Sequence, residues 1–321
     1  MTRTTEGEGM KAGNILITIL LAGLTEMGSL AASDSDTATI FYRINEKNYL
    51  ANLRLAIQRS TPEPVAPFKK SEEIAEYLKK NREALQLLYQ AADMPRVDFA
   101  CYNEAVKPEI IPVVSQTPRC IRLLMCDFSY HVSIGRGAEG KRALITALRM
   151  VQLTSGIPYL YGPLLLCSNI RIIFDGVRTI DSKLWHTLFS KQDSQLILRL
   201  LNTIEKNLTS GYQMAFRHEG NLKRTYIEEY LRPRMKTSAK MEMVVSKYRN
   251  VYALLEKSFF SQSSKEWGNI MNAAEAVNQE LTEPVVTPRE WRQRYLAGMQ
   301  ELKELRDIFQ QLLGEPAPEK L

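Results

Sequence analysis

Few stretches of this chain carry residues spaced for chemistry. Gly135-Arg136-Gly137-Ala138-Glu139-Gly140, followed by Lys141, matches the spacing of a dinucleotide-binding glycine loop. In such loops closely approaching backbone N–H groups meet phosphates at a helix N-terminus. That geometry needs a strand before the glycines, whereas the residues before Gly135 have helical spacing. The phosphate-loop variant fails too, because Arg142 stands where a Ser or Thr hydroxyl must hold magnesium. These glycines are therefore read as a hairpin turn. His131, His186 and His218 are the three histidines, and none lies four residues from another. His218-Glu219 resembles the start of a zinc-protease frame, but Gly220 and Leu222 occupy the positions leading toward its second histidine. Asp127 and Asp175 could do general acid–base work if buried, the alternative being helix caps or surface pairs. The sequence leans away from an enzyme, and no cofactor or metal is expected.

A cluster of Lys223, Arg224, Arg232, Arg234, Lys236, Lys240, Lys247 and Arg249 is interleaved with Tyr226, Tyr230 and Tyr248. Cations beside rings can grip an anionic polymer, the charge meeting carboxylate or phosphate while rings stack. Arg232, Arg234, Lys236 and Lys240 form the candidate face for an anionic partner; a merely solvated helix junction is the competing reading. The net charge of +6 favours anionic surfaces in general, which concerns association rather than fold. Asn207-Leu208-Thr209 fits a glycosylation acceptor pattern.

The elements that must position these residues are helical. Over residues 117–180 Ile121, Leu124, Met125, Phe128 and Val132 recur at steps of three and four, and Leu144, Ala147, Leu148 and Val151 repeat the pattern beyond the glycine turn. Two such helices joined by a few residues must lie antiparallel. Thr117-Pro118 offers a capping hydroxyl and a proline at the first helical position. The same reasoning gives a helix within 40–60, a Pro-rich connector through Pro62, Pro64 and Pro67, and a helix from Ser71 to about Ala92. An irregular apolar segment follows over 94–116. Beyond Ile180, shorter helices are expected at 182–190 and at 195–209, the latter capped by Asp193 or Ser194 and ended by Gly211. Others follow at 214–231, 240–260 and 267–281. Thr287-Pro288-Arg289-Glu290 reads as a capping box opening a last helix with Leu296, Met299, Leu302, Leu305 and Phe309 on its apolar stripe. The fold class is all-α, with antiparallel hairpins stacked in a solenoid-like or bundle array, the helical-hairpin domain covering 71–314 and a polar tail 315–321.

Residues 1–31 carry an export pattern: Lys11, an apolar run over 15–24, and small residues at Ser29-Leu30-Ala31. The run is half the length of a membrane span. A cleaved signal is expected, with an uncleaved anchor over 12–32 as the alternative and Met10 as a second candidate start. Residues 32–70 then form a tether, a first helix and the connector. Removing 1–31 takes two basic and three acidic residues, so the basic balance belongs to the mature chain. Of four cysteines, Cys120 and Cys126 sit six apart on one helix, about 240° around its axis, and cannot bridge each other. Cys101 with Cys120 is the one pairing considered; Cys126 and Cys167 read as small buried hydrophobes.

The stretches 81–95, 120–154 and 215–231 resemble an uncharacterised group of exported or membrane-anchored bacterial proteins built from tetratricopeptide-like helical hairpins. The strict tetratricopeptide signature at a period of about 34 residues is absent. The resemblance implies paired helices and brings no activity. The expectation is an exported, non-catalytic interaction or scaffold module of the cell envelope, its partner an unknown protein or an acidic envelope polymer. Nucleic acid is not expected, and membrane contact only through the N-terminal segment. An envelope hydrolase whose site assembles only in three dimensions, or an anchored structural component, are the alternatives.

Overall fold

The computed structural model describes residues 49–61, 71–93 and 114–314, apart from 156 and 158. The expected signal, the connector at 62–70, most of the irregular segment and the polar tail lie outside these residues. The described chain is all-α: α1 (Tyr49–Arg59), α2 (Ser71–Lys80), α3 (Arg82–Ala92), α4 (Thr117–Ser133), α5 (Gly137–Thr154), α6 (Tyr161–Arg178), α7 (Trp185–Leu188), α8 (Lys191–Gly220), α9 (Arg224–Leu231), α10 (Met241–Ser258), α11 (Ser264–Asn278) and α12 (Pro288–Leu313). Among the described residues only an isolated bridge, Met235 with Leu281, has β geometry.

Helices α4 and α5 form the expected hairpin. Gly135 takes φ +75°, a left-handed conformation that glycine adopts without steric cost, and Arg136 donates its N–H back to the His131 carbonyl at 2.8 Å. Ile121, Leu124, Phe128, Leu144, Ala147, Leu148 and Val151 are all buried. The helix expected from Ser71 to Ala92 is broken at Asn81. Its buried amide accepts the Thr61 N–H at 2.8 Å and donates to Thr61 Oγ1 and the Tyr77 carbonyl, so a side chain that rivals the backbone for hydrogen bonds ends α2 and clips α1 to α3.

Helix α8 is longer than its sequence suggested. It starts at a capping box in which Asp193 N–H donates to Ser190 Oγ and Ser190 N–H to Asp193 Oδ2, so Ser190, not Asp193 or Ser194, is the cap. It then runs through Gly211, where an end was expected. Tyr212, Ala215 and Phe216 beyond that glycine are fully buried, and burying such side chains outweighs the roughly 1 kcal/mol that a mid-helix glycine costs. The break falls instead at Asn221-Leu222, dividing the helix expected over 214–231. Two expected caps also differ. Thr117 and Thr287 are placed at helix starts, but each Oγ1 is buried with no hydrogen-bond partner; the prolines after them set the entry instead. The pattern at 182–190 is a 3-10 turn (Ser182–Leu184) running into the short α7.

Side-chain ties fix the helix directions. Lys141 reaches Asp193 and Ser155 reaches Asn207, both pairs 52 residues apart, so α5 and α8 run parallel and α6 makes the return between them. Helix α12 lies against α6 and α8; a Cβ on Gly298 would stand 3.3 Å from Cys167 Sγ, close enough that the neighbour would have to give by a few tenths of an ångström. Arg171 of α6 donates to Glu301 of α12 at 2.9 Å. Two aromatic clusters fill the interior. Tyr212, Phe216, Tyr252, Phe259, Trp291 and Tyr295 join α8, α10 and α12, while Phe128, Trp185, Phe189 and Phe309 join α4, the α7 region and α12. Leu296, counted on the apolar stripe of α12, faces outward and is 54% exposed. Among the described residues no helix is long and apolar enough to cross a membrane.

Candidate functional site

Polar side chains converge in two places. At the first, α3, α4 and α5 meet around Asp127, which is 5% exposed. The Tyr89 hydroxyl donates to Asp127 Oδ2, His131 Nε2 stands 3.4 Å from Oδ1, and the Arg142 guanidinium lies 4.3 Å above the Tyr89 ring. Burial pushes the Asp127 carboxyl above the ordinary carboxylate range, against the opposing pull of the Tyr89 hydroxyl, His131 and Arg142. Burial also raises the Tyr89 hydroxyl, with the Asp127 charge adding to it. His131 Nδ1 is buried without a hydrogen-bond partner. The cluster brings together a phenol, a carboxyl and an imidazole that can hold a proton, and it ties α3 to the hairpin. The sequence singled out Asp127 and His131 separately. Their four-residue spacing could have joined them, whereas Tyr89 comes from another helix and no local pattern names it.

The other candidate acid, Asp175, is an exposed partner of Arg171 at 3.0 Å. The carboxyl that α6 and α12 bury is Glu301, pushed up by burial and held down by Arg171. His131, His186 and His218 lie on three different helices, and the ring of His218 packs edge-on to Tyr159 at 4.6 Å. No three His, Cys, Asp or Glu side chains among the described residues are grouped to hold a metal. The glycine loop is the α4–α5 turn, with Lys141 committed to Asp193 at 2.9 Å. The buried thiols of Cys120 and Cys167 are pushed up to about 12 by burial, and Cys126 is half-buried; Cys101 lies outside the described residues, and with it the considered disulfide. Asn207 sits inside α8 and donates to Ser155 Oγ at 2.6 Å.

The second convergence is the connector from α9 to α10, two 3-10 turns at Arg232–Arg234 and Ser238–Lys240. Arg234 is only 8% exposed: it donates to the Tyr230 carbonyl, lies 4.4 Å over the Tyr230 ring and stands 3.4 Å from Glu283. Of the four residues expected to form the anionic-partner face, Arg234 is thus turned inward as an internal anchor. The backbone is pinned as well, Thr282 N–H donating to the Arg234 carbonyl at 2.6 Å and Lys236 N–H to that of Glu280 at 3.4 Å. Around this fixed strap Arg232, Lys236 and Lys240 are exposed. Lys236 Nζ reaches the Gln279 carbonyl at 3.3 Å; Arg232 and Lys240 make no ion pair with a described residue.

The rest of the basic cluster is occupied. Lys247 pairs with Glu280 at 3.2 Å and Arg249 donates to the Leu222 carbonyl at 3.1 Å. Arg224 is held by Glu228 and, at 3.4 Å, by Glu242. Tyr248 is buried and Tyr230 lies beneath Arg234, so these two rings belong to the packing and do not form a stacking platform. Beside the strap, Arg224, Glu242, Val245, Ser246 and Arg249 line a groove of about 190 Å³. Small-molecule sites run from roughly 300 to 1,000 Å³, so this groove has room for a single side chain. No family model matches the chain, and comparison with curated proteins and with solved structures finds no significant match.

Proposed function

We propose that this chain is a non-catalytic interaction module of the cell envelope, exported by its N-terminal segment, whose connector at 232–240 receives an acidic partner. The observation that carries the reading is the division of labour within the strap. Arg234 and two main-chain hydrogen bonds tie it to the protein, while Arg232 and Lys240 are exposed without an ion pair among the described residues and Lys236, also exposed, rests its ammonium on the Gln279 carbonyl at 3.3 Å. A preformed array of cations loses little conformational freedom on binding and steers an anionic partner toward itself. Exposed charges are also screened by salt over about 8 Å at physiological ionic strength, so the contact weakens as salt rises.

The test is an R232E/K236E/K240E variant in a crosslinking pull-down from envelope fractions. Arg234 is left alone because reversing it would break the strap itself. The expected result is loss of an acidic, salt-sensitive partner with an unchanged helical circular dichroism spectrum. An identical set of captured partners would sink the reading.

A further inference from the structure

We infer that Glu242 occupies, in the free protein, the place that a carboxylate of an acidic protein segment takes at Arg224. The inference rests on the proposed basic contact face and adds a specific seat to it. Helix α9 has eight residues, about 12 Å of length, and Arg224 at its start touches Glu242 at the start of α10. The strap leaves the far end of α9, so it must come back along that helix. Its last residue, Lys240, stands two positions before Glu242, which lines the groove, and Arg232 is at the strap's other end. An extended acidic segment laid along the strap would therefore bring one of its side chains to the groove.

The two acids on Arg224 are held unequally. Glu228 is four residues along the same helix, 19% exposed, and takes Nε. Glu242 reaches Nη1 only at 3.4 Å, and its side chain is 84% exposed. An exposed pair of that kind is worth little, and an incoming carboxylate replaces it with the same charge and a choice of better geometry, since a guanidinium presents its N–H groups as a fork matched to a carboxylate. The groove adds a second cation in Arg249 and a buried apolar floor in Val245. Glu242 thus stands in for the partner and competes with it.

The experiment measures binding of a fluorescein-labelled oligoglutamate peptide at low salt by anisotropy, using the full chain. Glu242→Gln is expected to tighten binding about two- to fivefold, the range set by exposed ion pairs, and Arg224→Gln to weaken it. In the R224Q/E242Q double variant the gain from E242Q should vanish, because the coupling runs through Arg224. Glu229→Gln, an exposed acid on the same helix, controls for net charge. Equal tightening by E229Q, or a gain from E242Q that survives without Arg224, overturns the inference. If R232E/K236E/K240E abolishes binding while R224Q and E242Q change nothing, the seat is wrong and the contact face stands. If the unmodified chain ignores oligoglutamate and binds only oligophosphate, the carboxylate seat and the acidic-protein partner both fall.

Discussion

Asp127 shows how one side chain makes stability depend on pH. Its carboxyl is raised chiefly by burial, so the folded state holds the proton more tightly than the unfolded chain does. The sign follows directly: the stability tied to this proton is fully present below the unfolded value of about 3.9 and is lost as pH rises through the higher folded value. Asp127→Asn keeps an oxygen for the Tyr89 hydroxyl and removes the charge. The stability gained by that substitution should therefore grow from acid toward neutral pH, read as the difference in urea midpoint between variant and wild type. A difference that stays flat with pH would mean the carboxyl is not taxed by its surroundings. At this scale the sequence was half legible. The acid and the imidazole stand four residues apart on one helix, and that spacing is local. Their phenol partner is brought by α3, and Arg234, grouped by its charge with Arg232 and Lys236, turned inward because Tyr230 and Glu283 were waiting behind it.

At the scale of helices, glycine had two opposite meanings that spacing could not separate. Gly211 lies inside α8, well before its end at Gly220, with its nearest neighbours, Pro163 Cβ and the Ser155 carbonyl, 3.8 and 3.9 Å from where a Cβ would stand. Gly211→Ala should therefore stabilise the protein by about 1 kcal/mol, the difference in helix propensity. A Cβ on Gly162 would instead come 2.6 Å from the Ile157 carbonyl oxygen and 2.9 Å from Ile157 Cβ. Backbone cannot step aside as a flexible side chain does, so Gly162→Ala should cost about 1–3 kcal/mol, the usual toll of overpacking. Urea midpoints of the two variants should move in opposite directions; a loss at both positions would show that α8 needs its glycine. The apolar stripes of α4 and α5 were legible because each repeats every three or four residues within a single helix. The cap at Thr287 was not, since a hydroxyl that can cap a helix need not turn toward it.

Across the whole molecule, the return of α12 to α6 and α8 is what makes the two aromatic clusters share one fate. Phe309 packs on Trp185 and Phe189, while Trp291, at the other end of the same helix, packs on Phe216 and Tyr252. An open stack of hairpins would let its terminal helix fray while the rest stayed folded. Here Phe309→Ala should lower stability by about 3–5 kcal/mol, with tryptophan fluorescence and far-ultraviolet circular dichroism melting together. Separate transitions for the two signals would mean the clusters are independent. The all-α class could be read from periodicity, but the contact between α12 and α6 joins residues 130 positions apart, as Arg171 and Glu301 are, and no local pattern carries such information.

The clasp between 234–236 and 280–282 reaches beyond binding. Surface loops are where chains ordinarily gain or lose residues without harm. These two cannot drift independently, because each reads the other's count through Thr282 on Arg234 and Lys236 on Glu280. One extra residue on either side would put Arg234 out of step with Glu283, so this pair of surface loops is expected to hold its length even where its side chains vary.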